Sequence, residues 1–288
     1  MSDTKDNSNQ AFLVGTYNIL NPFHAVKWVT KEGLTSSGGD NWDEWRSRAV
    51  CNNIEQNHLD ICALQELSER TKTEIEVKTA SGIMMQMSEL YLHFTEDEGG
   101  AHGVAVLYNP ERFKLLNDLG LKTSQESYRY AAMVDLEDQH TGSIYRVISV
   151  HLKGYNPYQK DVVIKAEEQR RGDEELQEYL TLAMTHSENL DGIFVLGDYN
   201  EDAKEMERRG VESRQGRLML EGFKWTGVPE ITETRSERQI DWIFYRDQHE
   251  DLYKIKSVRA TQHLGASDHA LTVVKHECSL DALTRFMI

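Results

Sequence analysis

Short apolar runs recur along the whole chain, and each stops at, or encloses, a polar side chain that a core cannot hold alone. FLVGTYN ends at Asn18, and ICALQ runs into Glu66. RVISVH ends at His151, and IFVL leads into GDYN with Asp198 and Asn200. IDWIFY carries Asp241, and the last run, Leu271–Val274, is preceded by Asp268 and His269. Carboxylates, amides and imidazoles at the ends of buried strands are costly to desolvate unless they meet one another or a cation. A chain written this way is constrained to a fold in which several strand ends converge.

The runs themselves set the fold class. Phe12–Asn18, Ile61–Gln65, Tyr91–Phe94, Val104–Tyr108, Ala131–Leu136, Arg146–His151, Ile193–Leu196, Ile240–Tyr245 and Leu271–Val274 read as strands. In IDWIFY the alternation puts Ile240, Trp242 and Phe244 on one face and Asp241 and Ile243 on the other. Helical spacing of Trp42, Trp45, Ala49 and Ile54 predicts a helix over Asp43–Gln56. Ser68 is placed to cap a second helix over Glu69–Thr79. Val162–Leu182 is charged nearly throughout, with Ile164, Leu176, Leu180 and Ala183 as a sparse apolar stripe. It reads as a long surface helix with a break at Gly172. Asn21–Asn41, with GLTSSGGDN, reads as a long mobile loop. Strands outnumber helices and do not alternate strictly with them. That pattern predicts an α/β protein of two packed sheets flanked by helices rather than a doubly wound parallel sheet. No linker-like shift divides the chain, so residues 1–10 read as a disordered tail and 11–288 as one domain.

Composition narrows the function classes. The 288 residues carry 32 Lys+Arg against 48 Asp+Glu, a formal charge of −16, which disfavours a whole-surface grip on a long nucleic-acid duplex. Hydrophobic residues make up 39%, enough for a sizeable core. Cys51, Cys62 and Cys278 are far apart and odd in number, which points to reduced thiols and a cytoplasmic setting, with Cys62 as core filling. The polar first ten residues read as no signal peptide, and no stretch of about 18 apolar residues is present to span a membrane.

Taken singly, the polar residues have plain explanations. An Asn or Asp after a strand is most often a turn or cap, and Glu66 could simply begin a helix. His24, His58, His93, His140, His186, His249, His263 and His276 read as structural. The ordered set is different, because independent turn residues have no reason to appear in this succession of contexts. Brought together, these groups form an oxygen-rich pocket with two histidines. Such a pocket suits Mg²⁺ or Mn²⁺ better than Zn²⁺, since hard cations take oxygen ligands.

The set TYNIL, ALQE, SVHLK, LGDYN, QIDWIFY and SDHALT resembles the endonuclease/exonuclease/phosphatase superfamily, the DNase-I-like fold. The resemblance runs over almost the whole chain. It implies a four-layer α/β sandwich of two mainly antiparallel sheets, and cleavage of phosphate esters with a divalent metal, usually Mg²⁺. It implies Glu66 as principal metal ligand, with Asn18 and Asp268 beside it. Asp198 and Asn200 would orient or activate the attacking water. His269, steered by Asp241, would be a base or a charge stabiliser, and His151 would donate to a phosphate oxygen or assist the leaving group. Arg129 lies where some members carry a phosphate-contacting side chain.

Substrate class is the finer question. NWDEWRSRAVCNNIEQNHLDICALQE and GVAVLYNPERFKLL are similar to the deadenylase, nocturnin and 2′-phosphodiesterase branch. His151 is followed by Lys153, Tyr155, Tyr158 and Lys160, and Asn18 by His24, Lys27 and Trp28. Aromatic groups interleaved with basic ones suit base stacking plus phosphate contact. The expectation is therefore a metal-dependent phosphodiesterase acting on RNA, a short single-stranded oligonucleotide or a nucleotide conjugate, with Lys153 and Tyr155 among its substrate contacts. The alternative is a phosphatase or phospholipase C-type hydrolase acting on an inositol phosphate or a sphingomyelin-like substrate. Against the lipid form, no membrane-docking segment is apparent.

Overall fold

A computed structural model describes residues 11–20, 44–86, 103–122, 130–154, 160–226, 232, 237–247, 253–261 and 267–278. The tail at 1–10, the loop at 21–41 and the strand expected at Tyr91–Phe94 lie outside the described residues.

The elements in chain order are β1 (Ala11–Asn18), α1 (Glu44–Gln56), β2 (Ile61–Leu67), α2 (Glu69–Thr79), β3 (Gly82–Gln86), β4 (Gly103–Tyr108), β5 (Phe113–Asp118) and β6 (Leu121–Lys122). They continue with β7 (Tyr130–Asp138), β8 (Ile144–His151), α3 (Val162–Ala183), β9 (Gly192–Asp198), α4 (Ala203–Arg209), α5 (Arg214–Leu220), β10 (Lys224–Trp225), β11 (Asp241–Asp247), β12 (Tyr253–Thr261) and β13 (Leu271–Cys278). One sheet has the order β12-β13-β1-β2-β4-β3. The other has the order β10-β11-β9-β8-β7-β5, with β6 paired to β7. Most neighbours are antiparallel, and only β1–β2 and β8–β9 run parallel among the described strands.

Three cores make this a four-layer sandwich. Between the sheets lie Phe12, Val14, Ile61, Ala63, Val147, Phe194, Leu196 and Ile243, among others. On the outer face of the first sheet, Val50, Cys51 and Ile54 of α1 and Ile75 of α2 pack on Cys62, Leu64 and Tyr17. On the outer face of the second, Leu176, Tyr179 and Leu180 of α3 and Leu218 of α5 pack on Ile148, Val195, Trp242 and Phe244. Central strands are therefore covered on both sides, which is why IFVL and ICAL read as unbroken apolar runs. The alternation expected for β11 holds, with Trp242 and Phe244 toward the helices and Ile243 between the sheets. Cys62 is core filling, as expected, and Cys51 is likewise a buried free thiol.

The α2 helix starts where the sequence places it. The Ser68 side chain accepts from the Thr71 backbone N–H, and Thr71 Oγ1 accepts in return from the Ser68 N–H at 2.8 Å. Two helical expectations need correction. Trp45 is 57% exposed; the buried stripe of α1 is Arg46, Ser47, Val50, Cys51, Asn53 and Ile54. The α3 helix runs unbroken through Gly172, and Ile164 is exposed rather than part of the packed stripe. A Cβ at 172 would overlap the Arg214 guanidinium and the Lys153 carbonyl oxygen, so this glycine is a notch in the helix. No helix among the described residues is long and apolar enough to cross a membrane.

Candidate active site

The two parallel pairings bring the polar strand ends together. Because β8 and β9 run the same way, His151 lies beside Asp198. Across the antiparallel β9–β11 pair, Asp198 lies beside Asp241. On the facing sheet the parallel β1–β2 pair sets Asn18 beside Gln65, one residue before Glu66. Side chains alternate along a strand. Asn18, His151, Asp198 and Asp241 share strand parity with the inter-sheet residues Val14, Val147, Leu196 and Ile243. They therefore cap the inter-sheet core at one rim of the sandwich. Beneath them Thr16 Oγ1 donates to Gln65 Oε1 at 3.4 Å, and Gln65 Nε2 donates to Ser149 Oγ at 3.2 Å, forming a polar tie between the sheets.

Local backbone features aim the side chains. Glu66 sits at φ +65°, where the β2–β4 register shifts between Gln65 and Leu67. Left-handed backbone is costly for a residue with a Cβ, and here it accompanies a β-bulge. Gly197, at φ +146°, lets β9 approach β8 so closely that a Cβ there would strike the Val150 carbonyl. Asn200, at φ +51°, turns its backbone N–H to Asp198 Oδ1 at 2.8 Å and its side-chain amide to the Leu152 carbonyl at 3.1 Å. On the far side of Asn18, the buried Arg46 of α1 donates to the carbonyls of Ile19 and Leu20, anchoring the chain as it leaves β1.

Asp198 Oδ2 is the focus of the site. It accepts from Asn18 Nδ2 at 3.2 Å. His151 Nε2 stands 3.5 Å from it and His269 Nε2 3.9 Å. Asn18 Nδ2 also reaches Glu66 Oε1 at 3.0 Å, while the Asn18 side-chain oxygen accepts from the Leu20 N–H. His269 Nδ1 meets Asp241 Oδ2 at 2.8 Å, and Asp268 Oδ1 lies 3.9 Å from His269 Nε2. Burial opposes a charge on His269, but Asp241, Asp268 and Asp198 outweigh it and hold its pKa well above the ordinary histidine value.

Two hydroxyl residues complete the site: Ser267, which opens the SDHALT motif, and Thr232, which carries no obvious sequence signal. Ser267 Oγ donates to the Asn18 carbonyl at 2.6 Å and accepts from the His269 N–H at 3.1 Å, joining the first and last functional segments. Thr232 Oγ1 accepts from the Ile240 and Asp241 N–H groups, and its carbonyl accepts from Ala270 N–H, fixing Asp241 against the SDHA segment. Of the expected substrate contacts, Arg129 and Tyr155 lie outside the described residues. Lys153 is half-buried, with Nζ 3.7 Å from Glu168 on α3.

The donor set fits a hard divalent cation. Glu66, Asp198, Asp241 and Asp268 are all buried at one rim. Ligand atoms of Asp198, Asp241 and His269 lie within 4.8 Å of one another. Asp241 Oδ1 is buried with no hydrogen-bond partner among the described residues. A carboxylate oxygen left so is expensive unless something positive completes it.

The family model described as the endonuclease/exonuclease/phosphatase family matches residues 15–269. The chain belongs to this family. Its members are phosphoric ester hydrolases that generally use a divalent metal. The human nocturnin catalytic domain, solved with a bound sulfate anion, superposes with a TM-score of 0.69 at 18% identity, covering 94% of each chain. ANGEL2, a 2′,3′-cyclic phosphatase solved with adenosine-2′,3′-vanadate, gives 0.62 at 15% identity over 96% of this chain and 98% of that one. A mannosyl-6-phosphatase from Bacteroides thetaiotaomicron gives 0.61 at 15% identity over 93% and 100%. At these identities the superpositions establish the shared fold. No curated protein sequence matches the chain significantly.

Proposed function

We propose that this family member is a Mg²⁺- or Mn²⁺-dependent phosphodiesterase that hydrolyses a phosphodiester in RNA, a short oligonucleotide or a nucleotide conjugate. The observation that carries the reading is the convergence of both histidines and Asn18 on one oxygen, Asp198 Oδ2. Glu66 and Asp268, with Asn18 beside them, are the residues to hold the ion. A bound divalent ion supplies charge neutralisation at the phosphate oxygens.

The chain's own groups do the rest. Asp198, fixed through Oδ1 by Asn200, orients the attacking water and takes its proton through Oδ2. His269, held at Nδ1 by Asp241, presents Nε2 to the developing charge at phosphorus. His151, at the end of β8, donates toward the leaving oxygen. His151 and Asp198 are fixed on strand ends, and His269, just ahead of β13, is held by Asp241 and Ser267, so little reorganisation is needed in the transition state.

The nucleotide preference is supported by the likeness to a cyclic phosphatase solved with an adenosine analogue, and by the Lys153–Lys160 segment with its two tyrosines. A phosphomonoesterase is the second reading, favoured by the similarity to a mannosyl-6-phosphatase. A substrate panel separates them: poly(A) RNA, 2′-5′ oligoadenylate, a 2′,3′-cyclic phosphate end, single- and double-stranded DNA, NADPH and inositol phosphates, each with Mg²⁺ or Mn²⁺. Cleavage of inositol phosphates alone would reject the nucleotide reading.

A further inference from the structure

We propose that Arg214 is a positioning residue for the catalytic strand ends, seated through the notch at Gly172. The inference rests on the hydrolase reading above, which gives His151 and Asp198 their roles. Arg214 opens α5 and is 1% exposed. Its Nε donates to Asp173 Oδ1 at 3.1 Å. One terminal nitrogen donates to the Tyr199 carbonyl, and the other to the Lys153 and Gln169 carbonyls at 2.9 and 3.3 Å. Tyr199 stands between Asp198 and Asn200, and Lys153 is two residues past His151. One guanidinium thus joins the chain exits of β8 and β9, the two strands that deliver His151 and Asp198 side by side.

The surroundings brace this group from every direction. Glu175 accepts from the Lys153 N–H at 2.7 Å, so the Lys153 residue is held at both its N–H and its carbonyl. Glu201 accepts from the Arg214 backbone N–H at 2.6 Å and pairs with Arg209, which also meets Asp173 at 2.5 Å. Gly172 is the opening that admits the guanidinium, since any Cβ there would overlap both it and the Lys153 carbonyl. Packing α3 and α5 onto the sheet does not need a buried ion network, because apolar side chains do that at no desolvation cost. What an arginine adds is a planar fork that fixes several acceptors in one geometry, which a lysine's point charge does not.

The test uses Arg214→Lys and Gly172→Ala in the full chain, with wild type as reference, assayed at a temperature where circular dichroism shows each fully folded. Turnover of the best substrate from the panel should fall about 10- to 100-fold in kcat, with KM changed by less than about 3-fold, as expected for a displacement near 1 Å. In ¹³C-histidine-labelled protein the His151 ring signal should move while that of His276, in the inter-sheet core, stays in place. The double variant should lose little beyond either single one. Folded variants with wild-type kcat and an unmoved His151 signal would overturn the proposal. So would a loss accounted for by the unfolded fraction alone. If wild type turns over nothing in the panel, the hydrolase reading fails separately, and the His151 signal alone decides whether Arg214 positions that strand end.

Discussion

His276 offers a quantitative test of the inter-sheet core. It lies on β13, fully buried, with Phe12 at 4.5 Å, Tyr245 at 5.2 Å, Tyr145 at 5.4 Å and Phe194 at 5.6 Å between ring centroids. Burial, and then the nearby Arg112 charge, lower its pKa from 6.5 to about 3. The folded state thus keeps this ring neutral while the unfolded chain protonates it near the ordinary value. Stability from this group is complete above pH 6.5 and is lost as pH falls toward 3. Between pH 7.5 and pH 5 the loss is about 2 kcal/mol, since the unfolded ring is then mostly charged and the folded ring is not. For a domain of this size that corresponds to a fall of about 3 °C in Tm. Urea unfolding of wild type and His276→Leu at the two pH values isolates the contribution. Whatever the variant's stability at pH 7.5, its drop on acidification should be about 2 kcal/mol smaller. Equal drops in the two proteins would refute a neutral buried imidazole.

Other expectations follow from the site. Asp198→Ala should abolish metal-dependent hydrolysis while leaving the circular dichroism spectrum intact; retained turnover would remove Asp198 from the centre of the chemistry. His269→Ala should lower kcat by about 10²- to 10³-fold with little change in KM, and Asp241→Asn should lower it in the same sense, because the ring loses the negative charge of its Nδ1 partner. A pure KM effect would contradict the assigned role. Gly197→Ala should destabilise the fold by about 3 kcal/mol in urea, from the forbidden backbone angle and the clash with β8. A neutral result would show that β8 and β9 are not so closely apposed.

Much of this was legible in the sequence, for a physical reason. Strands buried on both faces announce themselves as apolar runs, and the few polar residues that end them stand out because burying them needs a purpose. That made Asn18, Glu66, His151, Asp198, Asp241, Asp268 and His269 readable before any coordinates. Ser68 declared α2 because a cap is a local signal. What escaped was fixed by distant partners. Gly172 looks like a helix breaker until Arg214 and the Lys153 carbonyl occupy the space a side chain would fill. Ser267 and Thr232 are ordinary hydroxyl residues whose value comes from the Asn18 carbonyl and the Asp241 N–H group. The strands β3, β5 and β12 have weak or mixed alternation and owe their pairing to neighbouring strands. Trp45 misled because spacing alone does not say which face of α1 meets the sheet.

If Glu66 holds a divalent ion that supports ester cleavage at the rim where the strand ends meet, activity must follow both the ion and this carboxylate. The direct measurement is hydrolysis of the best panel substrate by EDTA-stripped protein as Mg²⁺ is titrated back, in wild type and in Glu66→Ala. Expected are no turnover without metal, saturable recovery in wild type, and no recovery in the folded variant. Full activity in EDTA, or a Glu66→Ala variant that recovers like wild type, would contradict that dependence.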